Sequence, residues 1–208
     1  MNRTEIRLSG FGGQGIILAG FILGKAAALY DHKHATMTQN YGPESRGGAC
    51  SAQVIVADAP VSYPHLTQPQ VVIAMSQEAY TKYAGELADG GLLVVDEDLV
   101  QPDGGTQRVR MYSVPSTRIA EEMGRRMVAN IVMLGCLAAL DRTVSPDALR
   151  QAVCDSVPKG TEELNLKAFE CGYAHGRKLL EQVPSSSRDP ALRELKKLGG
   201  TRHTKGET

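Results

Sequence analysis

Apolar residues follow two rhythms along this chain. Short apolar segments at 5–9, 35–40, 50–57, 71–75, 92–95 and 109–113 read as strands. Those at 71–75 and 92–95 are unbroken, as central strands buried on both faces require. Helical spacing predicts helices over 14–30 and 76–87, the second with Ser76 as N-cap, and then over 116–124 and 125–140. In 125–140 the residues Met127, Val128, Ile131, Leu134 and Leu137 recur as one core-facing seam. Ser145-Pro146-Asp147 opens a further helix that ends near 157, and Thr161 starts a last one reaching about 182. Small residues, Ala19, Gly20, Gly24, Ala26, Ala27 and Ala28, let the first helix lie close on a sheet. Strands alternating with helices and finished by helices give an α/β domain over 1–183: three α/β/α layers, a mainly parallel sheet and a helical C-terminal section.

The turn after the first strand carries the clearest chemistry. Gly10, Gly12 and Gly15 satisfy G-x-G-x-x-G, with Gly13 and Gln14 between them, on a strand–turn–helix. A backbone without Cβ atoms lets phosphate oxygens reach a helix N-terminus, so this stretch predicts a phosphate-bearing ligand or partner on a Rossmann-like fold. The alternative is a tight turn that holds no ligand. A dinucleotide site also needs an acid at the end of the second strand for the ribose hydroxyls. Asp31 lies before that strand and the strand ends in Thr38, Gln39 and Asn40, so NAD is discounted.

Composition removes several classes. Lys plus Arg equals Asp plus Glu at 23 each, there is no Trp, and so neither a basic field nor a stacking surface points to nucleic acid. No apolar run approaches a membrane span, mean hydropathy is -0.22, and the N-terminus leads straight into a strand. A cytoplasmic chain without signal peptide is expected. Cys50, Cys136, Cys154 and Cys171 are far apart and form no C-x-x-C pair, so no metal or cluster site is expected here. Asp96, Glu97 and Asp98 follow a strand and are expected to form a solvated turn. Residues 184–208 turn to Ser, Lys, Arg, Gly and Thr and read as a flexible, mildly basic tail.

A second stretch, Tyr41-Gly42-Pro43-Glu44-Ser45-Arg46-Gly47-Gly48, sets an acid, a hydroxyl and a guanidinium on a loop shaped by Gly-Pro and Gly-Gly. It is expected either to face the active site or to be a surface turn closed by a Glu44–Arg46 contact.

The two glycine stretches in this order, with Asp89-Gly90-Gly91, the segment 130–135, Asn165 and Gly172, resemble the gamma subunit of 2-oxoacid:ferredoxin oxidoreductases, with the 2-oxoglutarate enzymes as the nearest likeness. The resemblance spans about residues 4–182. It implies a Rossmann-like domain tied to coenzyme A access, in a complex that converts a 2-oxoacid, CoA and oxidised ferredoxin into acyl-CoA, CO₂ and reduced ferredoxin. Alpha and beta subunits, a ferredoxin-like delta subunit in some assemblies, and ferredoxin are the implied partners. Thiamine diphosphate, magnesium and [4Fe-4S] clusters would sit on those partners, and no catalytic residue on this chain. Gly10, Gly12, Gly13, Gln14 and Gly15 would bind CoA phosphates or a partner loop, and Tyr41 to Arg46 with Gly47 and Gly48 would face the active site. The rivals are a free-standing NAD(P)-binding reductase and a purely structural subunit.

Overall fold

The computed structural model describes residues 2–41, 49–104 and 108–182. Six strands form one sheet in the order β2-β3-β1-β4-β5-β6: β1 Arg3–Phe11, β2 His34–Tyr41, β3 Ala49–Ala57, β4 Val71–Ala74, β5 Leu92–Asp96 and β6 Arg110–Val114. β1 pairs antiparallel with β3 and parallel with β4, the β4–β5 and β5–β6 pairs are parallel, and β2 is antiparallel to β3. Five strands therefore point one way and β3 alone runs against them. The expected α/β layers and mainly parallel sheet are present, and each strand starts or ends within a residue or two of its predicted place.

Helices cover the two faces unequally. α1 Ile16–Lys25, continued by a π-turn over Ala26–Tyr30, lies with α3 Ser116–Glu122, α4 Ala129–Leu140, α5 Pro146–Cys154 and α6 Glu162–Gln182 on one face. Their buried residues join Ile6, Leu8, Ala52, Val54, Ile73 and Val94 in the main core. On the other face α2 Gln77–Tyr83 packs Ala79, Tyr80 and Tyr83 against Val72, Ala74, Leu93 and Val95. Ser76 and Ser145 are the expected N-caps, accepting hydrogen bonds from the backbone N–H groups of Ala79 and Ala148, both at 3.2 Å.

The predicted helix over 125–140 is two pieces. Gly124, at φ +77°, ends the preceding turn, and a 3₁₀ turn Arg126–Val128 precedes α4. A 3₁₀ turn has three residues per turn, so the apolar phase slips there. Met127 leaves the seam and is 79% exposed, while Val128, Ile131, Leu134 and Leu137 keep to the core. α4 itself is apolar on all sides, which demands burial on all sides. α6 supplies the last wall, and the contact is backbone on backbone. A Cβ on Gly172 would overlap the Val132 carbonyl, and one on Gly135 would overlap the Phe169 carbonyl. Cys136, beneath this contact, is fully buried, and burial pushes its thiol up to about 12.

His175, on α6, has its Nε2 buried without a partner. Burial pushes its pKa below the usual value, Glu97 opposes that shift, and Lys178 adds to it.

Two outcomes follow. Gly172→Ala will destabilise the domain by about 3 kcal/mol or more, because two backbones must separate, whereas Gly85→Ala, with nothing within 4 Å of the added Cβ, will stay within about 0.5 kcal/mol of wild type. Urea titration reads both. His175 binds a proton less readily folded than unfolded, so its contribution is intact above the unfolded pKa, about 6.5. It is lost as pH falls through the lower folded value. Stability measured from pH 7.5 to 5 will fall more steeply for wild type than for His175→Gln.

Candidate functional site

The sheet has one topological switch point, between β1 and β4. From β1 the chain crosses one face through α1, while β4 leads into α2 on the other face. Open α/β sheets bind ligands in the crevice that forms at the carboxyl ends of two such strands. The glycine turn sits at that crevice, and Gln14 spans it. Its backbone N–H donates to the Phe11 carbonyl (3.2 Å), its Oε1 accepts from the Phe11 N–H (2.7 Å), and its Nε2 donates to the Met75 carbonyl past the end of β4 (2.7 Å). Met75 N–H in turn donates to the Ser9 carbonyl (2.8 Å) and Ser9 Oγ donates to the Ile73 carbonyl (3.0 Å). The side chain expected to reach towards a ligand instead clamps the turn onto β4.

The glycines are needed for different reasons. Gly13 and Gly15 have φ of +97° and +71°, where a Cβ is strained. Gly10 leaves room for the Gln14 carboxamide and for Ile16. Gly15 is the N-cap of α1 and offers no side chain, and the first turn of α1 carries no acid. The N–H groups of a helix's first turn have no acceptor within the helix, and the positive end of the dipole is uncompensated here. Gly12 and Gly13 are exposed, so an anion can approach.

Asn130, in the first turn of α4, stands behind the turn. It is buried, its Nδ2 donates to the Gly15 carbonyl (3.0 Å), and its Oδ1 is buried without a partner. A side chain at position 15 would overlap the Asn130 carboxamide. No periodicity marks Asn130 as part of a site, and only the resemblance drew attention to its segment.

Strand register places the residues that flank the 42–48 connection near the first stretch. Gly10 faces Cys50 and Phe11 faces Ala49 across β1–β3, and Tyr41 faces Cys50 across β2–β3. The two ends of the 42–48 connection are thus fixed one and two strands away from the glycine turn. Tyr41 is 61% exposed, with its hydroxyl donating to Gln39 Oε1 at 3.4 Å. Gly42, Pro43, Glu44, Ser45, Arg46, Gly47 and Gly48 lie outside the described residues, as does the tail.

Two acids have structural duties. Asp31 accepts from both the N–H and the Oγ of Ser145, each at 2.6 Å, and so secures the start of α5. Asp96 is fully buried, which corrects the expectation of a solvated turn. Its Oδ1 accepts from the N–H groups of Asp98 and Leu99, and its Oδ2 from Thr117 N–H, Thr117 Oγ1 and Ser116 Oγ. The Oδ2 donors arrive from the first turn of α3, about 20 residues downstream, beyond the reach of a local reading. Glu97 and Asp98 follow as the exposed part of that turn and share Arg118 at 3.4 and 3.1 Å. Among the described residues no group of three His, Cys, Asp or Glu side chains is placed to hold a metal, and no helix is long and apolar enough to cross a membrane.

Comparison with known proteins gives a concordant set of likenesses. The family model for pyruvate ferredoxin/flavodoxin oxidoreductase matches residues 5–175. The 2-oxoglutarate synthase subunit KorC of Methanocaldococcus jannaschii is 54% identical over 179 residues, covering 85% of this chain and 96% of that one. Among solved structures, the gamma subunit of a keto/oxoacid ferredoxin oxidoreductase from Geobacter sulfurreducens superposes with a TM-score of 0.76 at 44% identity, over 85% of this chain and 97% of that one. The 2-oxoglutarate:ferredoxin oxidoreductase of Magnetococcus marinus, with 2-oxoglutarate, coenzyme A and succinyl-CoA bound, gives a TM-score of 0.78 at 26% identity, over 86% of this chain and 32% of that one.

Replacing Gln14 by Met keeps its volume and removes the clamp. The loss of two hydrogen bonds will destabilise the domain by about 1–3 kcal/mol, and hydrogen exchange will speed up at the Phe11 amide more than in β5.

Proposed function

The chain belongs to the pyruvate ferredoxin/flavodoxin oxidoreductase family, and from that premise we propose that it is the gamma subunit of a 2-oxoglutarate:ferredoxin oxidoreductase. It works with other subunits of that complex, which oxidatively decarboxylates 2-oxoglutarate to succinyl-CoA and CO₂ while ferredoxin is reduced. Its 54% identity to a KorC subunit, over 85% of this chain and 96% of that one, supports 2-oxoglutarate over other 2-oxoacids. The remaining subunits would be of alpha and beta type, with a ferredoxin-like delta subunit as a further component.

Thiamine diphosphate with magnesium supplies the decarboxylation chemistry, and [4Fe-4S] clusters carry the electrons. Among the described residues the donor set fits neither group. Cys50 and Cys136 are buried, Cys154 and Cys171 are half-buried and apart in sequence, and Asp31 and Asp96 are committed to Ser145 and to the start of α3. Those cofactors would sit on the partners, and this chain's part would be to bind and position.

One observation carries the binding role: an uncapped helix N-terminus behind an exposed glycine turn, at the switch point of the sheet. N–H groups of the turn and of α1 are suited to a phosphate of coenzyme A. Gln14 and Asn130 hold the turn in shape without competing for that phosphate. Arg46, charged at any working pH, would complete the anion site or pair with an acid of a neighbouring subunit. Glu44 would orient Arg46 or face the thiamine site. The nicotinamide alternative lacks its ribose clamp, since Asp31 is spent on Ser145 and β2 ends in Gln39, Asn40 and Tyr41.

The complex, purified through a tag on this chain, will reduce a viologen dye only when 2-oxoglutarate and CoA are both present. In that complex Arg46→Ala will raise the KM for CoA by roughly tenfold to a hundredfold, the effect of one charged hydrogen bond, and leave the KM for 2-oxoglutarate unchanged. An unaltered KM for CoA with impaired assembly would favour a purely structural subunit.

A further inference from the structure

A cavity of about 510 Å³ opens between the C-terminal end of α4, the start of α5 and the last turns of α6. It lies at the opposite end of β1 from the glycine turn. Asp141 and Arg142 on its rim also line a smaller recess together with Asn2 and Thr4, where β1 begins. The length of a nine-residue strand, about 30 Å, separates the two ends. The walls of the cavity are held in place. Asp141 Oδ1 accepts from the Thr143 N–H (2.8 Å) and Lys33 Nζ donates to the Thr143 carbonyl (2.6 Å), so the α4–α5 connection is tied to the segment before β2. On the far side Gly176 brings α6 onto Cys136 and Ala139 of α4.

Ala138, Val144, Pro146, Tyr173 and Leu180 give the cavity an apolar surface, and two arginines, Arg142 and Arg177, stand at it. Most arginines of the domain are spent on ion pairs: Arg3, Arg7, Arg108, Arg118, Arg126 and Arg150 each meet an acid within 4.0 Å. Arg142 and Arg177 meet none among the described residues, although Asp141 and Glu181 line the same cavity. Asp141 is turned to Thr143 instead. Ligand sites are concave and mainly apolar, with a few polar groups that fix orientation. A guanidinium is the side chain suited to phosphate or carboxylate, which it binds through paired hydrogen bonds.

We propose that this cavity is a second ligand site and that it takes a small organic anion. The ligand is a molecule of roughly 15 to 25 non-hydrogen atoms. Its phosphate or carboxylate meets Arg142 and Arg177, and its aromatic or aliphatic body lies against Val144, Tyr173 and Leu180. Two unpaired cations at one apolar recess select the charge of the ligand, and the recess selects its apolar body. A strand's length from the glycine turn, the site does not compete for the anion bound there and does not depend on that turn's role.

Calorimetric titration of the full chain with AMP and with decanoate tests the site and separates a phosphate from a carboxylate source. At least one of the two will bind one to one with a Kd of about 10 to 100 µM. Arg142→Gln and Arg177→Gln, both at exposed positions that the fold does not need, will each raise that Kd by roughly tenfold or more, the effect of one charge-assisted hydrogen bond. Arg125→Gln, also exposed but outside the cavity, will leave it unchanged. Amide shifts in NMR spectra of the same titration will centre on 139–146 and 177–181 and spare 12–15. Binding of neither probe below about 1 mM, binding that survives both cavity substitutions, or shifts centred on the glycine turn would overturn the proposal. So would contacts between the cavity and residues 183–208 in the ligand-free chain, which would make the chain's own tail the occupant.

Discussion

β1 has neighbours of opposite sense: β3 antiparallel on one side, β4 parallel on the other. The rest of the molecule depends on that arrangement. The parallel side forces a crossover, so β4, β5 and β6 come with helical connections. The antiparallel side lets β2 and β3 pair as neighbours, joined through the 42–48 stretch. The boundary between the two regimes is the switch point, and the glycine turn is the continuation of β1 into it. Gln14 closes this boundary because its carboxamide offers an acceptor to Phe11 and a donor to Met75 at the same time.

The faces of β1 are divided just as sharply. Ile6 and Leu8 point into the main core, while Glu5, Arg7 and Ser9 alternate to the side covered by α2. Buried ions cost several kcal/mol unless they are paired, and these are paired. Glu5 accepts from Arg3 (2.9 Å) and from the N–H groups of Thr67 (2.6 Å) and Gln68 (2.9 Å), fastening the proline-rich connection over the sheet. Arg7 reaches Glu86 at 2.8 Å with its guanidinium 4.3 Å from the centre of the Tyr83 ring. The thinner side of the domain is thus held by polar links, and the thick side by close helix packing.

Close packing also explains how the C-terminal helices serve the site. α4 carries Asn130 at its first turn and Gly135 further along, so its position relative to α6 fixes the carboxamide behind Gly15. Bringing two helix backbones together through glycine leaves little freedom to shift. The glycine turn is therefore backed, through Asn130, by a helix pair in backbone-to-backbone contact. Asp96 does similar work at the next strand end, tying β5 to the start of α3 through three hydrogen bonds and to its own following turn through two.

By itself the sequence determined the layers, the order of elements and the position of the glycine turn, because periodicity of 2 or 3.6 and the φ demands of glycine act over a few residues. Ser76 and Ser145 were legible as caps for the same reason. It did not determine what lies 20 to 115 residues away. Burial of Asp96, the pairing of Asp31 with Ser145, the Gln14 clamp on Met75 and the place of Asn130 behind Gly15 all join distant segments. The exposure of Met127 had a local cause, a 3₁₀ turn, but apolar character alone could not reveal it. Only the tertiary structure decided that Tyr41 and Ala49, which flank the second glycine stretch, stand two strands and one strand from the first, because strand register depends on how whole faces fit together and no window along the chain contains that information.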